Sequence, residues 1–87
     1  MARYSIVIKT SAVKEIERIA SVDDRRRVVE KIQSLADNPR PRGCEKLVGG
    51  ERYRVRQCVY RIIYSIEDER LIVHVVKVGH RRDVYRH

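Results

Sequence analysis

The sequence predicts an α+β domain with the element order β-α-α-β-β-β, folded as a mainly antiparallel four-stranded sheet with a layer of two helices on one face. Three observations predict it. A short β-branched segment opens the chain, two stretches with helical apolar spacing follow, and from residue 52 onward the pattern turns to strand-like alternation. With 87 residues the chain has room for a single domain, 1–87, and not for two.

Tyr4-Ser5-Ile6-Val7-Ile8 reads as the first strand. Thr10 or Ser11 is placed to cap the helix that follows, whose Val13, Ile16, Ile19 and Ala20 share one side while Lys14, Glu15, Glu17 and Arg18 face water. Ser21-Val22-Asp23-Asp24 has the form of a capping box at the start of a second helix. Val28, Val29, Ile32, Leu35 and Ala36 make its apolar stripe, and Asn38-Pro39-Arg40-Pro41-Arg42-Gly43 ends it, because proline lacks the N–H that a helix requires. Lys46 to Gly50 reads as a loop turning on its two glycines. Three strands then follow, Tyr53 to Gln57, Tyr60 to Ile66 and Leu71 to Val78, the last two joined by a tight turn at Asp68-Glu69.

Alternate side chains of a strand point to opposite faces, so position parity sorts residues into two sets. A two-residue loop at Cys58-Val59 pairs Gln57 with Tyr60, Arg56 with Arg61 and Arg54 with Ile63. That register gathers Arg54, Arg56 and Arg61 on one face, with Arg52 in phase, and leaves Tyr53, Val55, Ile62 and Tyr64 for the helices. The same reasoning across Asp68-Glu69 pairs Ile66 with Leu71, Tyr64 with Val73 and Ile62 with Val75. The arginine face then also carries Ile63, Ile72, His74 and Val76, with no Asp or Glu in the strands beside the cations.

Like charges on neighbouring strands repel, so an arginine cluster without acidic partners is the mark of a phosphate site: the guanidinium fork matches phosphate oxygens two at a time. The formal net charge of +8 and a pI of about 10 point the same way, to a polyanionic partner. The tail from Val78 to His87 adds Arg81, Arg82 and Arg86, the histidines His80 and His87 and the ring of Tyr85, a mixture suited to clamping and stacking single-stranded nucleic acid. His74, set mid-strand among apolar residues, reads as structural or as a partner contact. Met1-Ala2-Arg3-Tyr4 leads straight into a strand pattern and not into a signal peptide, and no apolar run has the length of a membrane span. The expectation is a cytoplasmic protein without membrane association, its Cys44 and Cys58 reduced. Their spacing is not that of a zinc site, and no metal or cofactor is expected.

Lys46-Leu47-x-Gly49, Tyr53-Arg54-Val55-Arg56, Tyr60-Arg61-Ile62-Ile63-Tyr64 and Val78-Gly79-His80-Arg81-x-Asp83-Val84-Tyr85 together resemble the RelE/ParE toxin superfamily of type II toxin–antitoxin systems, over essentially the whole chain. The sequence departs from that pattern in having Arg54 and Arg56 where relatives often carry lysine, and Gln57-Cys58-Val59 where many have a glycine-containing turn. The resemblance to the RelE type implies a metal-independent mRNA endoribonuclease acting in the ribosomal decoding site. It implies Arg54, Arg56, Arg61, Arg81 and Tyr85 as active-site residues; Arg52, in phase with the arginine face, and Arg82 and Arg86 of the basic tail read as further RNA contacts.

RNA supplies its own nucleophile, the 2′-hydroxyl, so such an enzyme must deprotonate it, stabilise the charge gathered on phosphorus and assist the leaving 5′-oxygen. Arg56 and Arg61 suit the second task, Arg54 holds the backbone, Arg81 sits at the leaving oxygen and Tyr85 stacks on a base. The base itself is open. Arginine is too strongly protonated for it, and His80 either serves or merely holds the turn. The resemblance also implies an antitoxin whose helical or extended segment wraps and neutralises the toxin and through which the complex binds operator DNA; Ile63, Ile72 and Val76 read as an exposed apolar patch that this partner touches, and an acidic segment suits both the patch and the arginines. Two alternatives remain: a ParE-type inhibitor of DNA gyrase, and a non-catalytic nucleic-acid-binding relative.

Overall fold

A computed structural model describes residues 3–84. Its elements run β1 (Ser5–Ile8), α1 (Thr10–Glu17), α2 (Val22–Ser34), β2 (Glu45–Lys46), β3 (Arg52–Gln57), β4 (Tyr60–Glu67), β5 (Ile72–His80) and α3 (Arg81–Val84). The expected order and α+β class hold, with one more strand than expected: β2 lies inside what reads as a loop, so the sheet has five strands in the order β1-β5-β4-β3-β2. Only the β1–β5 pair is parallel.

The helices cover one face. Ala12, Ile16 and Ile19 from the α1 segment and Val28, Ile32 and Leu35 from the α2 segment form a single buried cluster with Val55, Ile62, Tyr64, Val73, Val75 and Val78 of the sheet. Burying apolar side chains of this size contributes roughly 1.5–3 kcal/mol each, so this cluster is the main source of stability. The Tyr64 hydroxyl lies in the cluster's floor and donates to the carbonyl of Pro39 at 2.7 Å, which satisfies both polar groups without water.

Ser21 caps α2 as expected, its Oγ accepting from the Asp24 N–H at 3.2 Å. The cap of α1 is different: Thr10 is already helical, Lys9 occupies the cap position, and no side chain bonds the first turn. The apolar stripe of α1 is also rotated by one residue from the expected one. Ala12 is fully buried while Val13 stays exposed, because α1 packs closely on β5 and the smaller side chain fits there. Ala20 is exposed as well.

The β3–β4 hairpin has the expected register, Arg54 opposite Ile63, Arg56 opposite Arg61 and Gln57 opposite Tyr60. The β4–β5 hairpin does not. Its loop spans Asp68 to Leu71, which pairs Glu67 with Ile72, Ile66 with Val73 and Tyr64 with Val75. An irregularity between Ile63 and Tyr64 then shifts the strand again, so Ile63 faces Lys77 and Ile62 faces Val78. Val76 is the extra residue of that bulge, and it falls out of the row in which simple alternation puts it. No helix among the described residues is long and apolar enough to cross a membrane.

Candidate active site

Two strands and the segment after the sheet build the site. Arg56 on β3 and Arg61 on β4 are directly opposed, and the row continues to Gly79 on β5, which contributes no side chain. Arg54 begins the next row, followed by Ile63 and Lys77. Arg52 lies in a further row with Ser65 and His74, towards the other end of the sheet. The backbone N–H of Arg81 donates to the carbonyl of Val59 at 2.8 Å, which fastens the start of α3 to the tip of the β3–β4 hairpin. Arg56, Arg61 and Arg81 therefore belong to one end of the sheet. Arg61 is buried, whereas Arg56, Arg81 and Arg82 are exposed.

The strands beside these arginines do contain an acid, contrary to expectation. Glu45 stands on β2 opposite Arg54, and its carboxylate accepts from Arg54 Nη2 at 2.7 Å and approaches Arg56 Nη2 at 3.7 Å. The Arg54 side chain is only 13% exposed and is held in this pair, while the Glu45 and Arg56 side chains are about half exposed. Glu45 was not legible as a site residue because β2 has only two residues, Glu45 and Lys46, too few for any alternation to register.

Residues 6–85 match the family described as ParE toxin of type II toxin–antitoxin system, parDE. The chain belongs to this toxin family. A protein of Escherichia coli described as RelE-like is 31% identical over 88 residues, covering 95% of this chain and 90% of that protein. Among solved structures, the RelE–RelB complex of Pyrococcus horikoshii contains a chain that is 28% identical with a TM-score of 0.81, covering 95% of this toxin and 99% of that chain. The Mycobacterium tuberculosis RelBE2 complex gives 26% identity and a TM-score of 0.79, over 91% of this chain and 99% of the other. The isolated E. coli RelE toxin gives 27% identity and 0.76, over 95% and 92%. The protein is thus a RelE-like toxin of a toxin–antitoxin system.

The remaining candidates of the toxin fall as follows. His80 ends β5 opposite Tyr60, whose ring it meets edge-on with centroids 5.9 Å apart. Its Nδ1 accepts from the Arg82 N–H at 3.2 Å, so the neutral ring carries its proton on Nε2. His74 is paired to Glu67, Nε2 to Oε1, at 3.0 Å. Ile63, expected on an exposed apolar patch, is buried, and Ile72 and Val76 are half-buried, so the three do not form an open surface. The proposed contacts Tyr85 and Arg86 lie outside the described residues.

Proposed function

We propose that this toxin is a metal-independent endoribonuclease that cuts mRNA, on the ribosome, by attack of the 2′-hydroxyl on the adjacent phosphate. The observation that carries the reading is the opposed Arg56–Arg61 pair with Arg81 tied to the same hairpin tip, on a RelE-like fold. Arg56 and Arg61 clamp the phosphate and stabilise the negative charge that grows on it. Fixed charges of this kind need no reorganisation as the reaction proceeds. Arg81 stands by the departing 5′-oxygen, Tyr85 stacks on a neighbouring base, and Arg54, Arg52, Arg82 and Arg86 follow the backbone. The products are a 2′,3′-cyclic phosphate and a 5′-hydroxyl. His80 acts as a positioning residue for α3, since its available lone pair is spent on the Arg82 N–H.

The RelE chains of Pyrococcus horikoshii and Mycobacterium tuberculosis were solved with their antitoxins. By analogy this toxin pairs in the cytoplasm with an acidic antitoxin, which suits a net charge of +8 and through which the complex binds operator DNA.

Incubation with translating ribosomes and primer-extension mapping of the mRNA tests the reading. Cuts at fixed codon positions are expected, lost in Arg61→Ala and Arg81→Ala. The match to the ParE family supports a second reading, inhibition of DNA gyrase. Gyrase-dependent DNA breaks with mRNA left intact would establish it and overturn the first. Binding to RNA with neither effect would leave a non-catalytic relative.

A further inference from the structure

We propose that the cleft between the end of α1 and the end of β5 seats a nucleobase, that of the nucleotide on the 3′ side of the cut, and favours a base with an exocyclic amine over uracil. The position of that base in the RNA rests on the ribonuclease reading above. Its binding in the cleft does not.

The cleft has a volume of about 300 Å³ and is lined by Glu15 and Arg18 from the end of α1, Tyr60 from β4, and Val78, Gly79 and His80 from β5. That is the lower end of the range for small-ligand sites, roughly 300–1,000 Å³, and suits one base. The lining matches base chemistry. The rings of Tyr60 and His80 stand nearly perpendicular, at 79°, with centroids 5.9 Å apart, so the histidine braces the tyrosine. Bases splayed from a single strand stack on aromatic rings and on arginine planes, and are read along their Watson–Crick edges. Tyr60 supplies the ring, the exposed Arg18 the plane, and Glu15 the group that reads the edge. A lining this polar offers little to the apolar side chain of a protein partner.

The cleft adjoins the phosphate clamp. Gly79 lines it and also ends the Arg56–Arg61 row. Tyr60 and His80 are opposed in the next row, and alternation turns them to the other face of the sheet. β1 pairs with β5 only as far as Val75, so among the described residues no strand walls off the edge beside Gly79. From a phosphate held by Arg56 and Arg61, the way to that edge passes over Gly79 and is one strand wide, about 4.7–4.9 Å. There the base turns into the cleft. His80 leads directly to Arg81, the group assigned to the departing 5′-oxygen, so the base belongs to the nucleotide that bears this oxygen.

Glu15 sets the preference. Its Oε1 accepts from the Val78 N–H at 3.0 Å and its Oε2 from the Lys77 ammonium at 2.9 Å, which fixes the carboxylate. An ionised carboxylate has about four acceptor sites and no proton to donate, so capacity remains for a base. Cytosine, adenine and guanine each present an exocyclic N–H to such an acceptor. Uracil offers only its N3–H, set between two carbonyl oxygens that the carboxylate repels.

Two measurements test the inference. In one, the toxin alone is titrated with cytidine 5′-monophosphate or uridine 5′-monophosphate while its amide signals are followed by NMR. In the other, single-turnover cleavage on programmed ribosomes is compared for four mRNAs that differ only in the base 3′ to the cut. Shifts are expected at the Val78 and Gly79 amides, with the cytidine nucleotide binding about tenfold tighter, the worth of one hydrogen bond to a charged acceptor. The mRNA with uracil should be cut about tenfold more slowly than the other three for the same reason. Glu15→Gln keeps an acceptor for the Val78 N–H but also carries an N–H that meets a uracil carbonyl, and should bring both ratios to within about twofold. Arg18→Ala should weaken both nucleotides alike and keep the ratio. Absence of shifts with either nucleotide overturns the inference and leaves the cleft to a protein partner. Equal binding of the two nucleotides overturns it as well, as does a Glu15→Gln toxin that cuts more slowly before all four bases in equal measure, which would make Glu15 a support for the β5 edge alone. A wild type that shows the cytidine preference yet cuts no mRNA overturns the ribonuclease reading and the place given to the base, while the base site stands.

Discussion

Arg40 and Asp68 meet in a two-pronged pair, Nη1 to Oδ1 at 3.1 Å and Nη2 to Oδ2 at 2.9 Å, joining the segment after α2 to the β4–β5 loop. The Tyr4 hydroxyl donates to the same carboxylate at 2.7 Å, and the Arg40 guanidinium lies 5.3 Å from the centre of the Tyr53 ring. Donation by Arg40, and then by Tyr4, holds the Asp68 carboxyl at about 2, below its usual 3.8. A carboxyl depressed on folding contributes stability in full above its unfolded value and loses it as pH falls through the folded one. Asp68→Asn is therefore expected to lower the urea midpoint at pH 7, with the gap to wild type closing between about pH 4 and pH 2. A gap that stayed constant over that interval would show that the pair does not carry the linkage.

Beneath that pair, the Tyr64 hydroxyl and the Pro39 carbonyl satisfy each other at 2.7 Å, and burial pushes the Tyr64 pKa upward. Tyr64→Phe keeps the ring and strands the carbonyl. The expected loss is about 1–2 kcal/mol in chemical denaturation, the usual cost of a buried acceptor left unmet. A loss below about 0.3 kcal/mol would mean that water replaces the hydroxyl.

Cys58 opens the two-residue hairpin loop with φ +57, the left-handed region, and no other residue of that loop has a positive φ. A positive φ at the first loop position is where a type II′ turn favours glycine. Cys58→Gly is expected to gain about 0.5–1 kcal/mol by relieving that conformation, a rise of a few degrees in Tm. Cys58→Ala also lacks the thiol but keeps the strain, and should gain nothing. Equal gains in both variants would assign the effect to the thiol.

How far the site could be read from sequence follows from these same particulars. Arg54, Arg56 and Arg61 sort onto one face because both strands of their hairpin alternate cleanly and the loop between them has two residues. The β4–β5 hairpin offers no such guide. Ile72, Val73, Val75, Val76 and Val78 are apolar on both parities, so alternation cannot reveal a bulge. Its loop places Leu71 at φ +54, where the pattern to look for is glycine or asparagine. Glu45 was hidden for another reason: its place beside Arg54 is set by the pairing of a two-residue strand, a long-range event with no local period.

Phosphate contacts make RNA affinity depend on salt, because each neutralised phosphate releases counterions. Each phosphate contact adds about 0.7 to the slope of log affinity against log salt on single-stranded RNA. Arg56→Ala should make that slope shallower by about 0.7, with a similar loss of affinity for every sequence tested. A slope unchanged by Arg56→Ala would remove Arg56 from the phosphate.

Glu15 was expected to be a solvated position on α1, yet it holds the free edge of the sheet. β1 pairs with β5 only as far as Val75, and beyond that point Glu15 Oε1 accepts from the Val78 N–H at 3.0 Å while Oε2 takes the Lys77 ammonium at 2.9 Å. The carboxylate thus does for the end of β5 what another strand would do. Glu15→Ala leaves an edge N–H without its acceptor and should cost about 1–2 kcal/mol, more than Lys77→Ala, which leaves the N–H bond in place. The consequence reaches the site, because the same stretch of β5 leads through Gly79 and His80 to Arg81. Hydrogen exchange at Val78 should therefore speed up in Glu15→Ala, and RNA cleavage should fall with it while Lys77→Ala cuts nearly as wild type. If Glu15→Ala loosened the Val78 amide and left cleavage untouched, the β5 edge would support the fold alone and not the placement of Arg81.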